Sequence, residues 1–491
     1  PVSSAIGAEF SFDLGDDWKV NGKARYSNNS GQWNAPFTAN VGTVAEIEAL
    51  VRGASGATGA LTYKDGTPFN PANGLAQDIR YFDVTIEDLS NFFSDVKVTK
   101  AINDNIGVTV GMFSATQNTK IGWQWSSAIS EVAGDGKARL GIFEGFSEGG
   151  AYSYGQPVWG NCCQRKYNTV HNVNSPYVGV DAEINEKLNF DGSIRFENVN
   201  VNGSINSGQL SNLDANGDLI GFDYDSDGEI SDFESTIPTI AGNPGQAISD
   251  NYNFVSYSAG LNYKINNGTA VFGRYSKGAS GRAADRNNYG TDGLGDVQFD
   301  EISQFEVGLK KRLNNGVLNV TGFVSNTDEG ISNELNRTVG NPFKALGLEV
   351  ESALSFGNFG INGSVTYTKA EIDGGANQGN TPRRQADFVY NLAPTYSFGT
   401  SKQHLLGITI LGTSESYAQD DNDLVMPGYA YINAVAKVSL TKGLSLSVNA
   451  NNLFDTIGVT EVEGNGNIAG GLAAARTISG RSTTMTLQYS F

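Results

Sequence analysis

The residues with the most chemical content are the twelve from Asp223 to Glu234, DYDSDGEISDFE, which carry oxygen donors at the spacing of an EF-hand calcium loop. Asp223, Asp225 and Asp227 occupy the first, third and fifth positions, and Gly228 supplies the sharp bend at the sixth. Glu229 would offer its backbone carbonyl, Ser231 would act directly or through water, and Glu234 would close the shell as a bidentate ligand. A hard cation needs six to eight oxygens around one point, and this spacing wraps them there. The surrounding charge agrees. No Lys or Arg stands between Arg195 and Lys264, whereas residues 202–263 hold nine acids, nearly half of the formal net charge of −19. The competing reading is a solvated acidic loop. Gly221 and Pro238 make poor helical flanks, so the loop is expected without the usual pair of helices. Asp214, Asn216 and Asp218 could begin a second site but lack the rest of the pattern.

The elements that would carry such a loop follow from composition and period. The chain has 491 residues, with 61 Gly, 20 Tyr and 26 Phe, yet its mean hydropathy is only −0.28. No run approaches the ~18 consecutive apolar residues of a spanning helix, but a membrane barrel shows lipid only every second residue and stays weakly hydrophobic on average. An isoelectric point near 4.5 argues against binding nucleic acid through its phosphates. No basic segment followed by an apolar one opens the chain, so no signal peptide is read there.

Runs of about ten residues alternate apolar and polar, the period of a half-buried strand. Val255, Tyr257, Ala259, Leu261, Tyr263 and Ile265 oppose Ser256, Ser258, Gly260, Asn262 and Lys264. Seventeen such strands are expected: 8–14, 18–27, 93–102, 106–117, 176–185, 188–201, 251–265, 268–280, 300–313, 316–330, 342–356, 359–373, 384–399, 402–418, 428–441, 444–455 and 480–491. Their connections alternate between tight Asn/Asp/Gly turns, such as Gly15-Asp16-Asp17 and Asn314-Asn315-Gly316, and long loops, among them 28–92, 118–175 and 202–250. Strict alternation of this kind suits an outer-membrane barrel with short periplasmic turns and long outside loops. A secreted β-helix or multi-sandwich protein is the alternative, and no fixed repeat supports it.

Within the outside loops, Trp33, Trp123, Trp125 and Trp159, with Tyr152 and Tyr154 nearby, could stack on sugar faces or a planar ligand, or could anchor the loops by packing. The adjacent Cys162 and Cys163 could close a vicinal disulfide or remain free thiols. His171 and His404 are too scattered to argue for zinc. Thr43-Val44-Ala45-Glu46 opens a capped short helix ending at Gly53. No nucleophile, base and orienting group fall together, so no enzymatic activity is expected. Lys19, Lys23, Arg25, Glu306, Lys310, Arg312, Glu349 and Glu351 fall on the polar, lumen-facing side of their strands.

The final third resembles the TonB-dependent outer-membrane receptors. Ile302–Leu313 before an Asn-Asn-Gly turn, Lys344–Glu351 (KALGLEVE), Thr381–Phe398 (TPRRQADFVYNLAPTYSF), Asn449–Asp455 (NANNLFD) and Gly480–Phe491 carry the likeness. It is looser from residue 1 to 280. The resemblance implies a 22-stranded barrel around an N-terminal plug. The first strand here would then be the sixth, and the plug, the coupling box that contacts TonB and about five strands would lie outside this sequence. It further implies active import of a scarce nutrient, an oligosaccharide or other organic molecule or else a ferric siderophore. The implied partners are the TonB complex, outer-membrane lipid and a surface lipoprotein or other outer-membrane protein. A passive barrel without energy coupling is the alternative.

Overall fold

The computed structural model describes residues 2–133, 137–147, 151, 153–154, 165–207, 228–229, 246–281, 299–328, 332–334, 337–339, 342–462 and 475–490. Its main element is one sheet of 21 strands. Four of them, Leu61–Thr62, Leu75–Asp88, Leu140–Phe143 and Ser153–Tyr154, belong to the long-loop end. The other seventeen form an antiparallel meander in chain order. They are Val2–Gly15, Trp18–Thr43, Asn91–Asn103, Ile106–Glu131, Arg165–Asn185, Leu188–Ser207, Gln246–Asn266, Thr269–Gly281, Phe299–Leu313, Gly316–Asp328, Pro342–Phe356, Phe359–Ile372, Phe388–Phe398, His404–Thr413, Tyr429–Thr441, Leu444–Asn451 and Ser482–Tyr489. Each pairs with its successor. Among the described residues no helix is long and apolar enough to cross a membrane.

The tight turns lie at one end. In the first, Gly15, Asp16 and Asp17 all have positive φ, at 81°, 47° and 63°, the backbone for which glycine and aspartate are suited. The sheet is inside out relative to a soluble protein. Val255, Tyr257, Leu261, Tyr263 and Ile265 are exposed, whereas Gly260 is buried and Ser256, Ser258 and Asn262 are half-buried. Such a wall is stable only with hydrocarbon against its convex face.

The phase of this alternation reverses partway up the wall. In Leu188–Ser207 the outward residues are Phe190, Ile194 and Phe196, then Asn198, Asn200 and Asn202; the inward ones change from Asp191, Arg195 and Glu197 to Val199 and Val201. The first polar outward position is shared across strands. Asn253, Asn198, Asn174, Ser114 and Ser94 are successive register partners. Asn198 Nδ2 donates to Asn253 Oδ1 at 2.5 Å and Ser114 Oγ to Asn174 Oδ1 at 3.1 Å. From Leu188 to Phe196 the apolar outer face has about the 9–11 residues a tilted spanning strand needs. The amide and hydroxyl girdle therefore marks the outer limit of the hydrocarbon.

Above it the strands continue as free-standing wall, which corrects the expected boundaries. Residues 18–27 become Trp18–Thr43, 106–117 become Ile106–Glu131, and 176–185 begin at Arg165. Their inner face is apolar. Val84, Ile121, Tyr167, Val199, Val201 and Ile248 form one buried cluster. A second cluster joins Ile47 and Val51 of the helix α1 (Val44–Ser55) to Ala57, Tyr63, Phe69, Ala76, Ile129 and Phe143. The helix has the expected capping box, with Thr43 and Glu46 exchanging hydrogen bonds, but it runs past Gly53 to Ser55 and is closed by Gly56 at φ 72°. A third cluster, Ala418, Met426 and Val462, ties together loops near the C-terminal end. All three clusters sit at the long-loop end, so that end is packed while the membrane-level wall is a single layer.

Candidate functional site

Register partners share a face, so the inner wall can be read strand by strand. Between the turns and the girdle, the first nine strands present charged residues inward on eight of them. These are Glu9 and Asp13; Lys19, Lys23 and Arg25; Asp95 and Lys97; Asp181 and Glu183; Asp191, Arg195 and Glu197; Lys264; Arg274; and Asp300, Glu306, Lys310 and Arg312. On the last eight strands the inward charges are Glu349, Glu351 and Lys437 alone; the other inward positions include Asn319, Thr321, Ser364, Asn391, Thr409, Asn433, Asn449 and Thr486.

Some charges of the first arc are matched to one another or to polar and aromatic neighbours. Arg274 Nη2 donates to Asp191 Oδ1 and Oδ2 at 2.8 and 2.6 Å. Tyr177 Oη donates to Asp95 at 2.8 Å. Glu197, buried just below the apolar roof, accepts from Ser175 and pairs with Arg195, whose guanidinium lies 4.8 Å from the centre of the Phe113 ring. Gln304 Nε2 donates to Glu306 at 2.6 Å, and Lys310 Nζ stands 4.7 Å over Phe272. In the neutral arc a groove of about 300 Å³ is lined by Asn319, Glu351, Ser364 and Asn391, which are consecutive register partners, together with Val317, Ser352, Ala353, Asn362 and Gly363.

At the outer rim the structure brings Trp33 and Trp123 together. Phe82 stacks on Trp33 at 5.6 Å, Trp123 meets both edge-on at 6.2 and 5.6 Å, and Phe37 lies 6.1 Å from Phe82. Trp123 and Phe82 pack on the Tyr167 cluster, whereas Trp33 stays 49 % exposed. Trp125 is the register partner of Phe82, and Tyr154 that of Ser126. Trp159, Tyr152, Cys162 and Cys163 lie outside the described residues. So do Asp223, Asp225, Asp227, Ser231 and Glu234; of the expected calcium loop only Gly228, at φ 89°, and the exposed Glu229 are described. Among the described residues no three His, Cys, Asp or Glu converge as metal ligands.

Sequence reasoning missed how the cap, the helix α1 with the Ala57, Tyr63, Phe69 and Phe143 segments packed on it, is locked. Glu131 accepts from Tyr63 Oη at 2.6 Å and from the Arg139 side chain at 2.9 Å, while the Arg139 guanidinium lies 3.7 Å over the Tyr63 ring. Burial and the Glu131 hydrogen bond push the Tyr63 phenol up, and the Arg139 and Tyr63 hydrogen bonds hold the Glu131 carboxyl below its ordinary value. Arg52 plays a similar part for the helix: it bonds Glu48 at 2.7 Å and the Gly59 carbonyl at 2.7 Å, and lies 4.7 Å over Phe143. A hidden polar pair, Asp78 and Arg80, is buried inside the wall extension, with Asn40 donating to Asp78 at 3.2 Å.

Two of the quoted motifs contain loop clamps. In NANNLFD the buried Asn452 side chain accepts from Thr456 N at 2.8 Å and donates to Thr456 and Ser479 carbonyls at 2.8 and 3.0 Å. Asp455 accepts from Arg481 N at 2.7 Å. In TPRRQ, Thr381 exchanges two hydrogen bonds with the Asn422 side chain, at 2.9 and 2.8 Å, and Arg384 pairs with Glu461 at 2.5 Å.

These features can be compared with known proteins. The sequence profile described as TonB dependent receptor-like, beta-barrel matches residues 3–453. Comparison with curated protein sequences finds no significant match. Among solved structures the chain is similar to the siderophore receptor PiuA of Acinetobacter baumannii, at 13% identity and TM-score 0.53 over 99% of this chain and 79% of that one. It is similar to the ferric yersiniabactin uptake receptor FyuA of Yersinia pestis at 12% identity and TM-score 0.54, over 100% of this chain and 71% of that one. The copper transporter OprC aligns at 10% identity and TM-score 0.59, over 100% of this chain and 65% of that one. At these identities the structures speak to the fold. The profile match over nearly the whole chain, on a meander whose apolar face is outward, makes this protein a member of the TonB-dependent receptor β-barrel family, the receptors and transporters of the Gram-negative outer membrane.

Proposed function

We propose that this barrel is the membrane part of an active importer that captures a scarce nutrient at the cell surface and passes it inward with energy delivered by TonB. The observation that carries the reading is the wall itself. Its lipid face is apolar, its inner face carries charged, amide and hydroxyl side chains among apolar ones, and packed clusters stand at the long-loop end. In this reading the barrel works together with a plug and a coupling box, and the chemistry of import needs no catalytic residue in this chain.

The ligand of the first reading is an oligosaccharide or similar organic nutrient, for which the exposed face of Trp33 is a stacking surface at the rim. The second reading, a ferric siderophore, is favoured by the functions named for PiuA and FyuA. A surface lipoprotein or other outer-membrane protein would then meet the cap. Calcium in the loop 223–234 would neutralise the acids of the 202–250 segment and order it, and Cys162 with Cys163 would close a vicinal disulfide in that oxidising setting. The test is growth of a strain lacking the gene on single carbon and iron sources. A selective defect on one source, restored by the gene, identifies the ligand class; normal growth on all of them contradicts an import role.

A further inference from the structure

Above the hydrocarbon the outer face of the wall is of two kinds, one uncharged and one charged. We propose that the uncharged face, on strands Ile106–Glu131, Arg165–Asn185, Leu188–Ser207 and Gln246–Asn266, binds the saccharide headgroup of an outer-leaflet glycolipid. This needs the barrel to sit in the outer membrane and is independent of what it imports.

The two faces part at the girdle. On the four strands named, its residues are Ser114, Asn174, Asn198 and Asn253. On strands Thr269–Gly281, Phe299–Leu313, Gly316–Asp328 and Pro342–Phe356 the first polar outward positions are Lys277, Ser303, Asn326 and Lys344, again register partners. Here the lysines carry acids with them, Glu301 at 3.2 Å and Asp373 at 2.5 Å. Cations of this kind suit lipid phosphates; the amide sector has none to offer at this level. Its next row outward is Thr116, Asn172, Asn200 and Asn251, and the row above sets Asn118, Asn202 and Ser249 around Val170. Charge returns only beyond these rows, where Lys120 pairs with Glu87.

Neighbouring strands stand ~4.8 Å apart and alternate residues ~6.8 Å along each, so three rows on four strands make a grid roughly 14 Å on a side. Its own bonds hold part of it in place. Asn198 Nδ2 donates to Asn251 and Asn253 Oδ1 at 3.3 and 2.5 Å, Thr116 Oγ1 to Asn172 Oδ1 at 3.0 Å, and Ser249 Oγ to Asn202 Oδ1 at 3.1 Å. In Asn172, Asn251 and Asn253 the carbonyl end is engaged, and among the described residues Nδ2 has no protein acceptor. Covering such amides with hydrocarbon would be costly. The grid also lacks the aromatic, Met and Arg anchors of a protein interface. Sugar hydroxyls donate and accept at one atom, so adjacent hydroxyls of a ring can take the Oδ1 and Nδ2 of one carboxamide together. Continuity fixes the source of the sugar. The first row borders the apolar outer residues Phe190, Ile194 and Phe196, so the layer lying against the grid is the one carried by the acyl chains.

The test titrates detergent-purified full-length receptor, freed of endogenous lipid, with three probes: rough lipopolysaccharide, the same lipopolysaccharide after dephosphorylation, and its oligosaccharide freed of acyl chains. The triple variant Asn172→Ala, Asn200→Ala, Asn251→Ala removes the middle row, and Asn326→Ala is the control in the charged sector. Folding is checked by heat-modifiable migration. The expected result is saturable binding of both lipopolysaccharides within about threefold of each other, with the freed oligosaccharide at least about tenfold weaker. The triple variant should weaken binding of the intact glycolipid about tenfold and the control less than about twofold. Binding that is lost on dephosphorylation and unmoved in the triple variant overturns the assignment in favour of a phosphate contact. Freed oligosaccharide binding as tightly as the glycolipid overturns it in favour of a soluble sugar. Dimerisation of the parent that the triple variant abolishes, with lipopolysaccharide binding unchanged, overturns it in favour of an interface between copies. No binding of any probe overturns it outright. If the triple variant fails to fold, Asn251→Ala alone should still weaken binding at least about twofold, and unchanged binding there contradicts the proposal.

Discussion

Arg274 reaches Asp191 across an intervening strand, and it does so directly over Gly260. The three are register partners in successive strands, and a Cβ at Gly260 would lie 3.0 Å from both Arg274 Nη2 and Asp191 Oδ1. The glycine is thus a pass through which an ion pair bridges two strands that are not neighbours.

Replacing Gly260 with Val should close that pass. Overpacking of this kind costs about 1–3 kcal/mol, read as a lower midpoint for loss of the heat-resistant gel form. Asp191→Asn, which keeps the shape, should cost less than about 1 kcal/mol, because both partners are more than a third exposed and solvent screens the pair. A larger effect from Asp191→Asn than from Gly260→Val contradicts the assignment.

The cap is expected to loosen in acid. Glu131 has a folded-state pKa lowered by its bonds to Arg139 and Tyr63, so it adds stability above its ordinary value near 4.5 that disappears as pH falls through the lowered folded value. Limited proteolysis of the cap segments 44–74 and 132–147 in folded receptor should accelerate below pH about 4.5, and Glu131→Gln should be susceptible at neutral pH with a flatter profile. Wild-type protection that is constant down to acid pH argues against this lock.

Phe143 is fully buried under Arg52 and beside Val51, so Phe143→Ala leaves a cavity at the centre of the cap. The expected cost is about 3–5 kcal/mol, confined to the cap, which corresponds to a hundredfold or greater rise in cleavage rate when the cap opens and recloses faster than it is cut. The barrel band should remain heat-modifiable. Loss of the folded barrel along with the cap would show that the two are one cooperative unit.

Calcium is expected to bind the 223–234 loop in the range ~10⁻⁴–10⁻³ M of extracellular modules. Isothermal titration at millimolar calcium should give a heat that Asp223→Ala and Glu234→Ala each weaken. No heat in the parent protein, or none lost in either variant, removes the metal from the account.

The legible part of the fold was the part in contact with lipid. Turn-side ends such as Trp18, Ile106, Leu188 and Leu444 fall where alternation and Asn/Gly turns place them. The outer ends were drawn short because the alternation changes phase there. At Glu197-Asn198-Val199 the apolar residues move from the outer to the inner face, so a reading that follows one greasy face stops at the girdle. That phase change is itself a sequence signal, and it recurs at Asn174. The segregation of inward charge was present in the residues too, but it needs the register of all seventeen strands before it can be seen. The cap's Tyr63 stands 68 residues from Glu131, and Glu131 and Arg139, eight apart, share no helical or strand period, so only their packing reveals them.

Energy coupling is the claim on which the functional account stands. Accumulation of the nutrient identified by the growth test should be measured in isogenic cells with and without functional TonB, each with and without this gene. The account predicts saturable accumulation that falls, when TonB is removed, to the level of cells lacking the gene. Accumulation that depends on the gene but is unchanged without TonB would contradict it and identify a passive channel.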